Sequence, residues 1–181
     1  MRIISGIHKG RKIIYPKNLP VRPTTDRSKE ALFNILNNFF DWEEISVLDL
    51  FSGTGSISFE FASRQVKTVT SVDQNKKCIQ FINDISKNLN LSIVTIEKEV
   101  LKFLSYNSNR FDVVFLDPPY TFEVKEYEKL VLKLLKNSLN EGGLIIVEHF
   151  SKVNLDEIFC FIETRKYGSN SFSFFKNKAG R

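Results

Sequence analysis

Val47-Leu48-Asp49-Leu50-Phe51 is a short apolar run that passes at once into Ser52-Gly53-Thr54-Gly55 and then into a helix-like segment from Ser56 to Arg64. A buried-type strand, a glycine turn and a helix in immediate succession admit few folds. The arrangement lets backbone approach a ligand closely at the carboxyl edge of a sheet, and glycine suits the turn because it has no Cβ and accepts positive φ. The pattern then repeats along the chain. Strand-like runs are expected near residues 46–51, 68–73, 92–96, 111–117 and 143–148, with helical segments over 56–64, 75–88, 99–105 and 124–137. Such alternation predicts a parallel sheet covered by helices on both faces. Upstream, Thr25 caps a helix running to about Phe39, with Ala31, Leu32, Ile35, Leu36 and Phe39 on one face. Gly142-Gly143 are expected to end the last long helix and open Leu144–Glu148. Runs near 158–166 and 171–176 would form a closing hairpin.

Three acids stand at strand ends: Asp49, Asp73 after Val69-Thr70-Ser71-Val72, and Asp117 after Asp112-Val113-Val114-Phe115-Leu116. Ligands of open α/β sheets bind beyond the carboxyl ends of the strands, so topology gathers these acids into one cleft. Asp73, about twenty residues after the glycine turn, is placed to hydrogen-bond a ribose diol. A dinucleotide fold would usually show Gly-x-Gly-x-x-Gly, whereas Ser58 stands where the third glycine belongs, and nothing resembles a phosphate loop. An adenosine-like cofactor without a pyrophosphate remains, and S-adenosylmethionine fits.

Asp117-Pro118-Pro119-Tyr120 suits the chemistry of an amino group on a flat base. The Asp117 carboxylate accepts an N–H hydrogen bond, the Pro118 carbonyl is a second acceptor, and Tyr120 offers a face on which a nucleobase can stack.

The net charge of +5 is unevenly spread. Residues 1–29 carry eight basic side chains and one acid, against 18 basic and 20 acidic in the rest. A basic head before a nearly neutral body reads as an arm for a polyanion, with Arg2, Lys9, Arg11, Lys12, Arg22 and Arg27 as nucleic-acid-binding candidates. Arg2–Ser5 and Lys12–Tyr15 are expected to form a small hairpin around Gly6 and Gly10, with His8 in its turn. Residues 1–24 are taken as this arm and 25–181 as the catalytic domain. At 42% hydrophobic and 26% charged the chain has the composition of a soluble globular domain. No apolar run approaches the roughly 18 residues of a membrane span, and Cys78 and Cys160 have neither metal spacing nor a disulfide framework. A reduced, cytoplasmic, monomeric protein with no metal and no membrane partner is expected. Glu60 is read as part of a solvated helix face, and His149 as a strand-end residue, structural or solvated.

Asp49–Gly55, Asp73 and Asp117–Tyr120, in that order, resemble the class I S-adenosylmethionine-dependent amino-methyltransferases. Arg22-Pro23-Thr24-Thr25-Asp26-Arg27-Ser28-Lys29-Glu30-Ala31-Leu32-Phe33-Asn34, with Arg2-Ile3-Ile4-Ser5-Gly6 and Gly10-Arg11-Lys12, narrows the resemblance to the RsmD family. That family methylates N2 of a guanine in bacterial small-subunit ribosomal RNA. The resemblance implies a Rossmann-like, seven-stranded, mostly parallel sheet with an antiparallel edge strand. It implies S-adenosylmethionine lying across Gly53 and Gly55. Asp49 or its neighbours would take the methionine ammonium, Asp73 the ribose hydroxyls, and Glu99 and Val100 the adenine, flanked by Phe51 and Leu101. The RNA would be met within an assembling 30S particle. Glu99 stands where the family more often has Asp or Asn, and Lys29 where Arg is usual. Asp-Pro-Pro-Tyr also serves the amines of adenine and cytosine in DNA, and a fold of this kind can persist in a non-catalytic assembly factor, so both readings accompany the first.

Overall fold

The computed structural model describes residues 1–16, 19 and 24–176. Arg22 and Lys17 of the basic head lie outside them. Five helices follow the expected pattern: α1 (Asp26–Leu36), α2 (Ser56–Ser63), α3 (Lys76–Asn88), α4 (Val100–Tyr106) and α5 (Val124–Asn137). Side-chain caps set several of their starts. The Thr25 hydroxyl accepts from the Ser28 N–H at 3.2 Å, the Asn75 side chain accepts from Lys77 and Cys78, and Glu123 forms a capping box with Glu126. Helix α1 stops at Leu36 rather than Phe39. The N–H groups of Asn37 and Asn38 turn to the Phe33 and Ile35 carbonyls, and asparagine is a poor helix former. Its buried stripe is Leu32, Phe33 and Leu36 with Ser28 and Lys29, so Phe39 is left in solvent.

The strands are β1 (Ser46–Leu50), β2 (Thr68–Asp73), β3 (Val94–Glu97), β4 (Phe111–Leu116), β5 (Leu139–Phe150), β6 (Phe161–Tyr167) and β7 (Asn170–Lys176). They form one seven-stranded sheet in the order β3-β2-β1-β4-β5-β7-β6. The first five strands of that order are parallel, and β7 runs antiparallel between β5 and β6. The antiparallel strand is therefore one in from the edge, not at it. Gly142 and Gly143 lie within β5, which begins at Leu139. The register with β4 shifts between Phe111 and Val113, and a Cβ on Gly143 would come within 2.9 Å of the Asp112 carbonyl. The pair serves an irregularity in the sheet, while α5 ends earlier, at Asn137.

Alternation along the strands splits the core in two. Val47, Val69, Val113, Phe115, Leu144 and Ile146 face α1, α2 and α3. Leu48, Leu50, Val114, Leu116, Ile145 and Val147 face α4 and α5. The order of the strands reverses at β1, whose neighbours β2 and β4 lead to opposite sides, and ligands of such sheets bind at that point.

The expected N-terminal hairpin is present but short: Arg2 bridges Lys12, the Ile3 N–H donates to the Arg11 carbonyl at 3.0 Å and the Ile13 N–H to the Met1 carbonyl at 2.9 Å. Glu60 ties it to α2. Its carboxylate takes the N–H groups of Ile4 at 3.0 and 3.1 Å and Ser5 at 3.1 Å. Glu60 is wholly buried, not on a solvated face. It also meets the Arg64 guanidinium at 2.5 Å and the Lys29 ammonium at 3.5 Å. Lys29 in turn donates to the Arg2 carbonyl at 2.6 Å.

Candidate active site

The alternation that divides the core also aligns the acids. Asp49 lies two residues beyond Val47, Asp117 two beyond Phe115 and Glu148 two beyond Ile146, so all three share the sheet face that packs on α2. Leu116 pairs with Val147, which puts Asp117 and Glu148 side by side past the last pair. Asp73 follows in the same row from β2. None of the four makes an ion pair among the described residues. Burial pushes the Asp117 carboxyl well above its ordinary value, and the charges of Glu148 and Asp49 push it further. Burial raises Glu148 as well, against hydrogen bonds from Asn170 and Thr24. Glu148 was not among the sequence candidates, although it ends the expected strand Leu144–Glu148 just as the other acids end theirs.

Between these acids and α2 runs the turn from Phe51 to Gly55. Phe51 has φ of 61°, Gly53 52° and Gly55 74°. Positive φ on a bulky aromatic is strained and clusters at functional sites. A Cβ at Gly55 would come within 2.7 Å of Ile82, so only glycine permits the close approach. Asp73 holds the turn in place: its carboxylate accepts from Gly53 at 2.8 Å and from Asn75 at 2.7 Å. Ser58, where a dinucleotide fold would have glycine, donates to Asp49 and contacts the Ser71 hydroxyl at 2.6 Å. It ties β1, β2 and α2 together beneath the turn.

A cavity of about 600 Å³ opens over this turn, and its walls include Asp49, Phe51, Gly53, Asp73, Glu99 and Val100. The structure thus brings together residues that the sequence placed apart. Gly55 adjoins as the N-cap of α2. Leu101 does not line the cavity; it packs with the α4–α5 core. Phe122 takes that place, edge-to-face against Phe51 at 5.9 Å. The Glu99 carboxylate caps α4, accepting from Leu101 and Lys102 at 2.8 and 2.9 Å.

Two further features escaped the sequence. The hydroxyls of Ser52 and Ser56 are buried, line the cavity and have no hydrogen-bond partner among the described residues. Helix α2 starts from Gly55 with no side-chain cap. Orphan hydroxyls and free first-turn N–H groups together form a receptor for an anionic ligand group. Serines follow glycines in many turns, so the sequence carries no signal that separates these two.

Asp49 is the deepest of the acids. Burial pushes its carboxyl up to about 7, the Ser58 hydrogen bond opposing and the Asp73 charge adding. A raised acid stabilises the fold below its unfolded value and loses that contribution as pH rises through the folded value. Ligand-free Asp49→Asn protein is therefore expected to be more stable than wild type at pH 8 by roughly 4 kcal/mol. The difference should shrink as pH falls from 7 to 4. Denaturation across that range checks this, and a difference independent of pH would contradict it.

A second cavity of about 530 Å³ adjoins, and Thr24, Asp117 and Tyr120 line both. Pro118 is buried beside the first cavity and Pro119 exposed. The Pro119 carbonyl accepts from Phe122 at 3.0 Å and closes the turn, whereas the Pro118 carbonyl has no such turn bond. Tyr120 is half in solvent but already stacked on Phe150, at 4.1 Å and 30° between rings. A flat ligand has only its other face. Arg27 also lines the second cavity. Arg2 pairs with Asp26 at 3.4 Å, and Lys9, Arg11 and Lys12 lie exposed on the segment whose His8 N–H donates to the Ser63 hydroxyl at the end of α2. His149 is buried between Ser173 and the Phe150 carbonyl, burial lowers its pKa, and it lines neither cavity. Among the described residues no group of acids, histidines and cysteines is placed to hold a metal, and no helix is long and apolar enough to cross a membrane.

Comparison with known proteins agrees with this architecture. The family model described as Conserved hypothetical protein 95 matches residues 1–176. Ribosomal RNA small subunit methyltransferase D of Haemophilus influenzae is 39% identical over 156 residues, 82% of this chain and 78% of that protein. Its namesake in Escherichia coli is 31% identical over 151 residues, 82% and 74% of the two chains. A solved hypothetical protein of Thermus thermophilus superposes with a TM-score of 0.85 at 24% identity, over 97% of this chain and 99% of that one. The fold is that of the class I methyltransferases, and the chain belongs to the RsmD family.

Proposed function

We propose that this protein transfers a methyl group from S-adenosylmethionine to the exocyclic N2 amine of a guanine in small-subunit ribosomal RNA. The observation that carries the reading is the wall shared by two cavities: Asp117 and Tyr120 border both. The relatives named ribosomal RNA small subunit methyltransferase D support the choice of RNA, and they weigh against the DNA and non-catalytic readings.

The first cavity fits the donor. Ser52, Ser56 and the first-turn N–H groups of α2 suit its carboxylate. Asp49 would take the ammonium and Asp73 the ribose hydroxyls. Glu99 and the Val100 N–H, a first-turn donor that α4 cannot use itself, face the adenine end. When bound, S-adenosylmethionine supplies an electrophilic methyl group on a sulfonium.

The chain's own residues prepare the amine. A guanine amine is a weak nucleophile because its lone pair is delocalised into the ring. Asp117 and the Pro118 carbonyl accept its two hydrogens and favour a pyramidal nitrogen whose lone pair is directed into the first cavity. Such alignment is worth up to roughly 7–11 kcal/mol in the best cases. Positive charge reaches nitrogen as the methyl bond forms, and the Asp117 carboxylate stabilises it electrostatically. The proton becomes acidic only then, and Asp117 or solvent takes it. N2 is reached in an unpaired or extruded base, which Tyr120 stacks at a gain of about 1–3 kcal/mol.

The basic arm, residues 1–24, together with Arg27 would hold flanking phosphates of the assembling subunit, the protein acting as a monomer in the cytoplasm. Neutral replacement of Arg11 and Lys12 is expected to weaken RNA binding and flatten its salt dependence by about two units of slope, leaving cofactor affinity unchanged. An unaltered salt titration would count against the arm.

Labelled methyl transfer to unmodified small subunits, naked ribosomal RNA and duplex DNA tests the whole reading. N2-methylguanine in the digested ribosomal RNA is expected. Methylated adenine or cytosine in DNA would favour the rival enzyme, and absence of S-adenosylmethionine binding would favour the assembly factor.

A further inference from the structure

Glu148 has no part in the mechanism above, yet it is 2% exposed and lines the second cavity beside Asp117. Its carboxylate is held from two sides. The Thr24 hydroxyl donates to Oε2 at 2.8 Å and the Asn170 amide to Oε1 at 2.8 Å. Each oxygen keeps a further lone pair. Two adjacent carboxyls, Glu148 buried and Asp117 half-buried, are costly unless something supplies donors to them, and here both are pushed upward in pKa.

The rest of the cavity indicates what supplies those donors. Tyr120 and Phe150 line it with aromatic faces, and Arg27 and Lys166 line it as exposed cations. Acids lie deep, rings beside them and positive charge at the mouth. That profile matches one nucleotide with its base inward and its phosphate outward. Among the four RNA bases, guanine alone carries a ring N–H beside its exocyclic amine. Adenine and cytosine place a lone pair there, and uracil has no amine. An enzyme that extrudes a base reads it by this edge.

We infer that Glu148 selects the base: its carboxylate accepts the N1–H of the guanine whose N2 amine is held by Asp117, and Thr24 and Asn170 fix its orientation. The inference rests on the guanine-N2 reading above and supplies its specificity. Thr24 and Asn170 are positioning residues. Glu148 touches the substrate.

The test uses the full chain, S-adenosylmethionine and reconstituted small subunits whose mapped target is guanine or 2-aminopurine. The analogue keeps the N2 amine, replaces N1–H by a lone pair and carries hydrogen in place of O6, a second change that is the same for wild type and variant. A site built around a donor rejects an analogue lacking it, so wild type should favour guanine by about 100-fold or more in kcat/KM. Glu148→Gln presents an amide N–H to N1. It should lose guanine activity and lower the guanine preference by at least about tenfold. A merely structural Glu148 would slow both substrates equally, and an unchanged preference overturns the inference while N2 methylation by wild type stands. Wild type that makes no N2-methylguanine overturns the reading beneath and the inference with it. If Glu148→Gln fails to bind S-adenosylmethionine through misfolding, Asn170→Ala at the start of β7 replaces it. A preference lowered several-fold supports the inference, and an unchanged one sinks it.

Discussion

Asp117→Ala is expected to lower methyl transfer by about 10³-fold or more while S-adenosylmethionine still binds within a few-fold of wild type. Removing one preorganised group that stabilises developing charge costs roughly 2.7–4 kcal/mol in comparable sites, and here amine alignment is lost as well. Binding should survive because the donor cavity is held by other residues: Asp49, Asp73, the Gly53 turn and the start of α2. Stability should move the opposite way. The Asp117 carboxyl is disfavoured by burial and by Glu148 and Asp49, so its removal relieves a strain that activity maintains, and the variant should melt higher. The pH dependence carries the same sign. An acid raised in the fold is protonated up to a higher pH than usual, and the protonated form cannot stabilise a cationic nitrogen. The acid limb of the wild-type profile should thus lie above the ordinary carboxylate range, and Asp117→Asn should abolish it. Near-normal turnover by either variant would refute the assignment.

Glu60→Ala should produce the largest loss of stability, about 3–5 kcal/mol, because breaking a buried pair leaves its partner uncompensated. Two partners are left, Arg64 and the 1% exposed Lys29, whose pKa burial already lowers while Glu60 opposes the shift. The N–H groups of Ile4 and Ser5 lose their acceptor in the same step, so the arm should loosen from α2. Without Glu60 the Lys29 pKa falls further. Its protonation then favours the unfolded chain, and the deficit should be greater at pH 7 than at pH 10. Lys29→Met in the same background should recover part of the loss. Urea denaturation measures all three, and a cost below about 1 kcal/mol would show that the network contributes little.

The comparison of sequence with structure has a physical pattern. Regular alternation made the sheet legible, because strand and helix periods are imposed by geometry on every residue of an element. Asp49, Asp73 and Asp117 were legible for the same reason: each ends a strand, and topology gathers such ends. Glu148 obeys that rule and was passed over only because no ligand role was attached to β5. Glu60 could not be read. An acid on a helix usually faces water, and what buries this one is an arm about 55 residues earlier in the chain. Gly142-Gly143 misled for a local reason, since a glycine pair after a helix and one at a strand irregularity look alike. Ser52 and Ser56 became informative only once their lack of partners was visible.

The central claim is that a methyl donor and an extruded guanine meet across Asp117. A crystal structure with S-adenosylhomocysteine and a guanine nucleotide tests it most directly. The prediction is the cofactor product over the Gly53 turn, the base in the second cavity against Tyr120, and the guanine amine on Asp117 between them. Guanine bound elsewhere, or the two ligands separated by packed side chains, would contradict it.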